Sequence, residues 1–330
     1  PYNDIIRKFI DMYAGRLRNQ VSFMLSACNF YMPIFEEALD AYGLPLELRY
    51  LPIIESALNP SAVSRAGASG LWQFMIGTGK IYGLESNSLV DERRDPIKAT
   101  WAAARYLKEM YDIYGDWNLV IAAYNCGPGT INKAIRRANG ETDYWKIYNY
   151  LPKETRGYVP AFIAANYVMT YYCDHNICPM ETNIPASTDT VQVNKNLHFE
   201  QIADLCNVPL DQIKSLNPQY KKQMIPGDSK PYTLRLPIDA ISTFIDKQDT
   251  IYTHRADELF RNRKTVAVKD ITPATRKTTS AVAGKGNLTY YTIKSGDTLS
   301  TIARKYGVTI KDIQRWNGMS STKIAAGKRL

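Results

Sequence analysis

Glu55 is the side chain of this sequence whose surroundings most favour acid–base chemistry. It follows the apolar run "LPII" at 51–54 and precedes the small-residue stretch "SALNPSAVSRAGASG" at 56–70. A carboxyl group in apolar surroundings is expected to keep its proton near neutral pH, because burial disfavours the charged form. Such a group can protonate the leaving oxygen of a glycosidic bond. The alternative is that Glu55 lies on the polar face of an amphipathic helix.

The segment after Glu55 supplies candidate substrate contacts. Ser64 and Gln73 could form hydrogen bonds to a sugar or orient the acid, and Phe74 and Met75 are expected in a cleft wall or in the core. The small residues between them would let the backbone approach a sugar chain closely. Tight packing between a helix and a loop explains the same composition.

A second carboxylate is needed for ordinary glycoside hydrolysis. None occurs in the segment 55–75 apart from Glu55 itself. Glu85, Asp91, Glu92 and Asp95 follow in a run that has the character of a solvated loop. A hydrolytic muramidase or chitinase would require Glu85, Asp91 or Asp95 to face Glu55 across a cleft.

Two later motifs carry further polar side chains. "AAYNCGPG" at 122–129 holds Asn125, a candidate sugar-binding amide, and Tyr124, a stacking or packing group. "LPKETRGYVPAFIA" at 151–164 holds Tyr158, together with Glu154 and Arg156, which are expected to form a salt bridge.

These motifs, in this order, resemble the lytic transglycosylase domain of the soluble-transglycosylase type, over residues 33–172. The resemblance implies a lysozyme-like fold in which the Tyr158 hydroxyl reaches Glu55, and no cofactor or metal is expected. It also implies that Glu55 protonates the bond between N-acetylmuramic acid and N-acetylglucosamine in peptidoglycan. The carboxylate then takes the proton of the muramic C6 hydroxyl, which closes a 1,6-anhydro ring. Trp72 stands where many relatives carry Met and is expected to alter the packing of the cleft.

The elements that must position these residues are mostly helices over residues 1–184. Apolar residues recur at helical spacing in "IFEEALDAYG" and "ATWAAARYLKEMYDIYG", and both segments end at a glycine. Because proline disfavours helix interiors, helix boundaries are expected near five prolines, namely Pro33, Pro45, Pro96, Pro128 and Pro152.

A repeated unit follows residue 184. "HFEQIADLCNVPLDQIKSLN" at 198–217 aligns without gaps with "TLSTIARKYGVTIKDIQRWN" at 298–317, and strand-like segments flank each copy. Each copy is expected to form a small β-α-α-β module, so the fold class is α+β. The expected domains are 1–184, a degenerate module at 185–240, a helix and basic linker at 241–288, and a second module at 289–330 whose closing strand is incomplete. Two copies are expected to be separate domains on a flexible chain.

The repeated units resemble LysM modules, most clearly in "YTIKSGDTLSTIARKYGVTIKDIQRWNG". The resemblance implies binding to glycans that contain N-acetylglucosamine. The glycan groove of the second copy is expected near five residues, Gly296, Asp297, Thr298, Leu299 and Ile324. The alternative is that these residues only build the turns of the module. A non-catalytic scaffold that binds the cell wall is a further alternative for the whole chain.

Composition and charge bound the remaining function classes. The formal net charge of +9 favours an anionic partner, but the basic stretch 261–288 is expected to be a solvated linker, so no nucleic-acid binding is expected. The chain starts at Pro1 without a signal peptide or a lipid-attachment cysteine, and any membrane anchor is expected in a segment missing from it. We expect a monomer in the periplasm, associated with the outer membrane. Cys173 and Cys178 could form a local disulfide or remain core thiols.

Overall fold

The computed structural model describes residues 2–182, 184–185, 187–260, 291–293, 297–306, 308, 310–317, 319 and 324. The chain forms two compact units, Pro1–Pro273 and Ala274–Leu330. We call residues 2–182 of the first unit the catalytic half, because the candidate catalytic residues lie there. This half contains helices α1 Asp4–Ala14, α2 Arg18–Ala41, α3 Leu51–Ser56, α4 Ile76–Ile81, α5 Pro96–Tyr114, α6 Trp117–Cys126, α7 Pro128–Arg137, α8 Tyr144–Ile147 and α9 Lys153–Thr170. Short 3-10 helices lie at Leu46–Tyr50, Glu92–Arg94 and Tyr148–Tyr150.

Helix α5 shows how local sequence sets these boundaries. The Asp95 side chain accepts hydrogen bonds from the backbone N–H groups of Ile97 (2.9 Å) and Lys98 (3.0 Å), and Pro96 occupies the first turn. Gly115 ends the helix with φ +61°, a left-handed conformation that costs glycine little. Proline marks the start of α7 and directly precedes α9, as expected. The boundary expected at Pro33 is wrong, because α2 continues through it.

The core of this half is formed by the buried faces of α2, α5, α6 and α9. Trp72 lies at its centre with no exposed surface, and its indole N–H donates to the Thr100 hydroxyl (2.8 Å). Its ring also meets the edge of Phe35 at a centroid distance of 5.3 Å. Trp72 therefore fills the core, and its side chain is no part of a cleft wall.

The segment 85–95 is not the solvated loop that its charges suggested. Asp91, Glu92 and Arg93 are all buried. The Arg93 guanidinium donates to both carboxylate oxygens of Asp91, at 2.8 and 2.7 Å, and the Glu92 carboxylate accepts from Lys98 at 2.5 Å. Pairing makes the burial of these charges tolerable, and this pairing is invisible in a list of residue types.

The first module has the expected β-α-α-β order. Its elements are β1 Thr188–Val193, β2 Asn196–His198, α10 Phe199–Cys206, α11 Leu210–Leu216, β3 Met224–Pro226 and β4 Tyr232–Pro237. Strand β1 pairs antiparallel with β4, with Thr188 opposite Pro237, and β2 pairs antiparallel with β3. A capping box lies at the start of α10. The His198 side chain accepts a backbone hydrogen bond from the first turn, and the Gln201 side chain accepts one from the His198 N–H.

The core of the first module extends beyond β4. Helices α12 Ile238–Asp246 and α13 Gln248–Thr253 follow, with α14 Ala256–Leu259 after them. Phe244 and Ile251 are buried in the same core cluster as Ile202 and Leu234 of the module. We therefore propose that the module continues to about residue 253 rather than ending at residue 240.

This module packs against the catalytic half and is not a separate domain on a flexible chain. Leu89 and Val90 are buried in the same core cluster as its apolar residues. The backbone of Val90 bridges that of Tyr220, the Asp91 N–H donates to Gln219 (2.9 Å), and the Lys221 N–H donates to Leu89 (2.8 Å). Shared apolar burial and backbone pairing thus join the two parts.

The second unit contains α15 Leu299–Tyr306 and α16 Ile310–Trp316. Its small core consists of the buried residues Ile293, Leu299, Ile302, Ala303 and Ile313. Val308 and Ile324 pack against this core.

The expected α+β class is confirmed, because a helical region is followed by a module that combines short strands with helices. In the part of the chain that the structure describes, no helix combines the length and the hydrophobicity needed to span a bilayer. All five cysteines are free thiols, and Cys173 and Cys178 are exposed.

Candidate active site

Glu55 lies in the last turn of α3, where Leu51, Pro52 and Ile53 before it are buried. Helix α3 ends at Ala57, which adopts the left-handed conformation with φ +51°. The Ala57 N–H returns to the carbonyl of Ile53 (3.1 Å), and the Ser56 hydroxyl donates to Pro52 (3.0 Å) and to Leu71 (2.9 Å). These bonds fix the end of the helix, and with it the position of the acid.

The electrostatics of Glu55 match those of an acid that stays protonated near neutral pH. Burial raises the pKa of the Glu55 carboxyl to about 7, and the hydrogen bond from Tyr158 opposes that rise. The Tyr158 hydroxyl, brought by α9, donates to Oε1 of Glu55, as the motif implied. Burial and the neighbouring carboxylate hold the pKa of Tyr158 well above its usual range, so this hydroxyl remains a donor.

A cavity of about 450 Å³ opens beside Glu55. Among the described residues that line it, Glu55 is the only carboxylate. One wall comes from the loop after α3, including Ser64 and Gln73, and the other from four residues of α1, α2 and their connection, namely Tyr13, Leu17, Gln20 and Met24. The sequence interpretation missed this second wall, because it precedes the recognised motifs and has only ordinary helical periodicity.

The loop wall is stiffened by its own hydrogen bonds. The Ser64 hydroxyl accepts from the Ala68 N–H (3.0 Å), and the Gln73 side-chain amide donates to the carbonyls of Gly70 (2.8 Å) and Ala62 (3.2 Å). Gln73 therefore orients the loop and forms no hydrogen bond to Glu55. It also has φ +48°, a conformation that costs energy in a residue with a side chain and is concentrated at functional sites.

Aromatic side chains pack behind the loop wall of the cavity. The Tyr124 hydroxyl donates to the Trp72 carbonyl (2.7 Å), and burial together with nearby Glu55 raises the pKa of Tyr124. Phe74 is buried, and its ring centroid lies 6.5 Å from that of Tyr124. Met75 is 45% exposed at the surface. Phe74 and Tyr124 thus belong to the packed support of the cleft.

Asn125 is exposed at the end of α6, and its side-chain oxygen accepts from the Thr155 hydroxyl (2.9 Å). The prediction that Glu154 and Arg156 form a salt bridge is wrong, since no ion pair joins these two described residues. Arg156 instead donates to the carbonyls of Leu151 (3.0 Å) and Asn149 (2.7 Å). The hydrogen-bond donors of this guanidinium are therefore paired with backbone carbonyls and not with the carboxylate that the sequence suggests.

Arg93 connects the cleft loop with the first module. Its Nη1 donates to the carbonyls of Gly67 (2.8 Å) and Phe74 (3.0 Å), at the two ends of the loop segment that contains Gln73. Its partner Asp91 also lies 3.9 Å from Nζ of Lys221, which in turn donates to the Asn87 carbonyl (2.7 Å). A Cβ at Gly70 would lie 1.7 Å from the Arg93 carbonyl oxygen, so only glycine fits there.

The residues expected to bind glycan in the second module have mixed environments. Leu299 is 2% exposed and packs in the core, as Ile324 does in part. The Asp297 carboxylate accepts from the Tyr291 hydroxyl (2.8 Å), and Thr298 is exposed. Gly296 lies outside the described residues.

Three family models match successive parts of the chain. Residues 32–147 match the transglycosylase SLT domain, residues 187–253 match the lytic transglycosylase MltD, LysM-like domain, and residues 291–330 match the LysM domain.

Similar proteins give the same picture. The membrane-bound lytic murein transglycosylase D of Escherichia coli K12 is 31% identical over 334 residues, covering 100% of this chain and 69% of that protein. The soluble lytic murein transglycosylase of the same strain is 33% identical over 124 residues, covering 36% of this chain and 19% of its own. The crystal structure of the 70 kDa soluble lytic transglycosylase from Escherichia coli aligns with 43% of this chain and 24% of its own chain, at 29% identity and a TM-score of 0.38. The full-length match places this chain in the membrane-bound lytic murein transglycosylase D family.

Proposed function

We propose that this protein cleaves the bond between N-acetylmuramic acid and N-acetylglucosamine in peptidoglycan and leaves 1,6-anhydro ends. Membership of the family makes it a lytic murein transglycosylase, a lyase that acts on peptidoglycan. In the proposed reaction Glu55 gives its proton to the leaving O4 as the bond from C1 to O4 breaks. The Glu55 carboxylate then takes the proton of the muramic C6 hydroxyl, whose oxygen forms the new bond to C1. The acid is restored, and no water is consumed.

The observation that carries this proposal is a single carboxyl with a raised pKa beside a cavity that holds no other described carboxylate. A pKa of about 7 suits both halves of the reaction, because the group can give a proton and then accept one near neutral pH. The Tyr158 hydroxyl supports the first half, since it stabilises the carboxylate that remains when Glu55 gives up its proton.

The acids that a hydrolase would need have other partners. Glu85 is bound by Lys230 (2.6 Å) and by the Tyr232 hydroxyl (3.0 Å) of the first module. Asp91 pairs with Arg93, and Asp95 caps α5. Each carboxylate therefore already has a structural role, which favours the anhydro-forming reaction over hydrolysis.

The modules and the relatives suggest where this reaction takes place. The second module, which matches the LysM domain, would raise the local concentration of peptidoglycan at the catalytic cleft. A periplasmic location follows from that substrate, and the name of the Escherichia coli relative adds association with a membrane. We further propose that the protein acts as a monomer.

Mass spectrometry of products from purified sacculi tests the proposal. Wild-type protein should release fragments with 1,6-anhydromuramic ends, and Glu55→Gln should lower the rate by at least about a thousandfold, because Gln cannot transfer the proton. Glu154→Gln, at an exposed position on α9, is the matched control and should keep full activity. Reducing ends from the wild-type protein would instead identify a hydrolase, and full activity in Glu55→Gln would rule out Glu55 as the acid.

A further inference from the structure

A second cavity, of about 1250 Å³, lies between the catalytic half and the first module. Its walls are α2, the loop at 58–61 that follows Glu55, residues 181–182 and 184–185, and one side of α11 with the preceding Pro209. We call it the α11 groove. None of the residues considered above as catalytic or substrate-binding lines it.

The α11 groove continues the line of the catalytic cavity. Met24 lines the catalytic cavity, and Ala27 and Tyr31 line the groove. Residues three and seven positions apart share one face of an α-helix, so one face of α2 runs along both cavities. The loop after α3 also borders both, with Ala57 and Ala62 on the catalytic cavity and the residues between them on the groove.

The lining of the groove suits a carbohydrate chain. Phe23 offers an aromatic surface that is 42% exposed, and the neutral side chains of Asn59, Ser61 and Ser215 can exchange hydrogen bonds with hydroxyl and acetamido groups. An apolar surface with a few polar groups is the usual composition of a ligand site. The charged residues among those that line it are Glu181 and Asp211, which would repel the closely spaced phosphates of a nucleic acid.

Most of the first module's surface that corresponds to the expected glycan groove of its repeat partner is buried, although Asn196 and His198, opposite Gly296 and Thr298, are half-buried. The alignment at an offset of 100 residues places Leu197, Phe199 and Met224 opposite Asp297, Leu299 and Ile324. All three are at most 2% exposed. Helix α11 instead offers Ser215 and the exposed side of Asp211 to the groove.

We propose that the α11 groove binds the part of the glycan strand that continues from the bond being cleaved. This inference rests on the proposed function, since it assigns an extended binding site to the same substrate. A strand seated at Glu55 must leave the catalytic cavity, and the shared face of α2 leads into the groove. The first module then contributes to substrate binding through α11, and long strands gain contacts that short ones cannot reach.

Kinetics on two substrates test the groove. Full-length protein is assayed on a tetrasaccharide and on long glycan strands, both without stem peptides, with the variants Phe23→Ala and Ser215→Trp. Each variant should lower kcat/KM on long strands by about three- to tenfold, the scale of one lost aromatic contact, and leave the tetrasaccharide unaffected. Ile113→Ala, which removes an exposed apolar side chain from α5, is the control and should change neither.

Equal losses on both substrates, or no loss on either, would overturn the proposal. Long strands that carry stem peptides serve as a third substrate, and a loss seen on them but not on the bare strands would overturn the proposal and assign the groove to the peptide. Equilibrium binding of long strands to Phe23→Ala and Ser215→Trp in the Glu55→Gln background gives a readout that does not depend on catalysis. Three- to tenfold weaker binding there would support the groove even if the wild-type products had no anhydro ends, an outcome that would contradict only the proposed function.

Discussion

At the scale of single residues, two influences of opposite sign act on Glu55. Burial favours its neutral form, whereas the Tyr158 hydroxyl favours its carboxylate. The first influence keeps Glu55 protonated near neutral pH and makes its carboxylate a stronger base, and the second stabilises the carboxylate that remains once the proton has left. A carboxyl that must do both tasks needs a pKa between these extremes.

The buried carboxyl should weaken the fold as the pH rises. Because the folded-state pKa of Glu55, about 7, is above the usual 4.5, the folded protein binds more protons between these values, and stability falls as pH increases through them. Glu55→Gln avoids this cost. Its free energy of unfolding relative to wild type should increase by about 1–3 kcal/mol between pH 4 and pH 8, measured by urea denaturation. A difference that stays constant with pH would show that the Glu55 pKa is not raised.

Removing the Tyr158 hydroxyl should move the pH profile in a defined direction. In Tyr158→Phe the carboxylate loses a donor, so the pKa of Glu55 rises and the alkaline limb of kcat/KM shifts to higher pH. Maximal kcat should fall by about ten- to a hundredfold, since a hydrogen bond to a charged group is lost. Tyr124→Phe is the control, because its hydroxyl donates to the Trp72 carbonyl and should leave the limb in place. A shift of the limb to lower pH in Tyr158→Phe would contradict this account.

At the scale of elements, the cleft loop depends on a segment that the motifs do not include. Arg93 holds the loop at Gly67 and Phe74 and is itself held by Asp91. Lys221 ties this pair to the first module. The module thereby supports the wall of the catalytic cavity, which is a structural role beyond tethering.

The substitution Arg93→Lys tests this support. Lysine keeps the charge but cannot reach Asp91 and two carbonyls at once, because it lacks the planar fork of arginine. We expect a roughly tenfold loss of kcat with a cooperative unfolding transition retained. Arg105→Lys, at an exposed ion pair with Glu109, is the matched control and should behave as wild type. Unchanged kcat in Arg93→Lys would show that the loop holds its shape without the guanidinium.

The difference between local motifs and contacts between distant segments explains how much of the structure the sequence predicts. Glu55 and Tyr158 were identified because each lies in a local motif with a recognisable family pattern. The burial of Asp91 was missed, because its stabilisation comes from Lys221, far away in the chain, and from bonds that Arg93 makes to backbone atoms. Pro33 was misinterpreted for a related reason, since tertiary packing of α2 outweighs the local cost of a proline. Patterns of residue types predict elements, whereas contacts between distant segments require coordinates.

At the scale of the whole molecule, the two modules have different relations to the catalytic half. The first shares a core cluster with Leu89 and Val90 and pairs its backbone with the segment 89–91. The second belongs to the other compact unit. We therefore expect the catalytic half to require the first module for folding and the second only for recruitment to peptidoglycan.

Two shortened chains distinguish these roles. A chain that ends at residue 260 keeps every described element of the first unit, from α1 to α14, so it should cleave soluble glycan fragments at the wild-type rate. Its binding to sacculi should weaken by about ten- to a hundredfold, because the effective concentration supplied by a second binding site is lost.

A chain that ends at residue 185 exposes Leu89 and Val90 and leaves Asp91 without Lys221, and it should aggregate or unfold at lower urea concentration. Binding and cleavage are measured by co-sedimentation with sacculi and by product release. A stable, fully active chain ending at residue 185 would reduce the first module to a tether, and undiminished binding to sacculi by the chain ending at residue 260 would place the recruiting surface in the first unit.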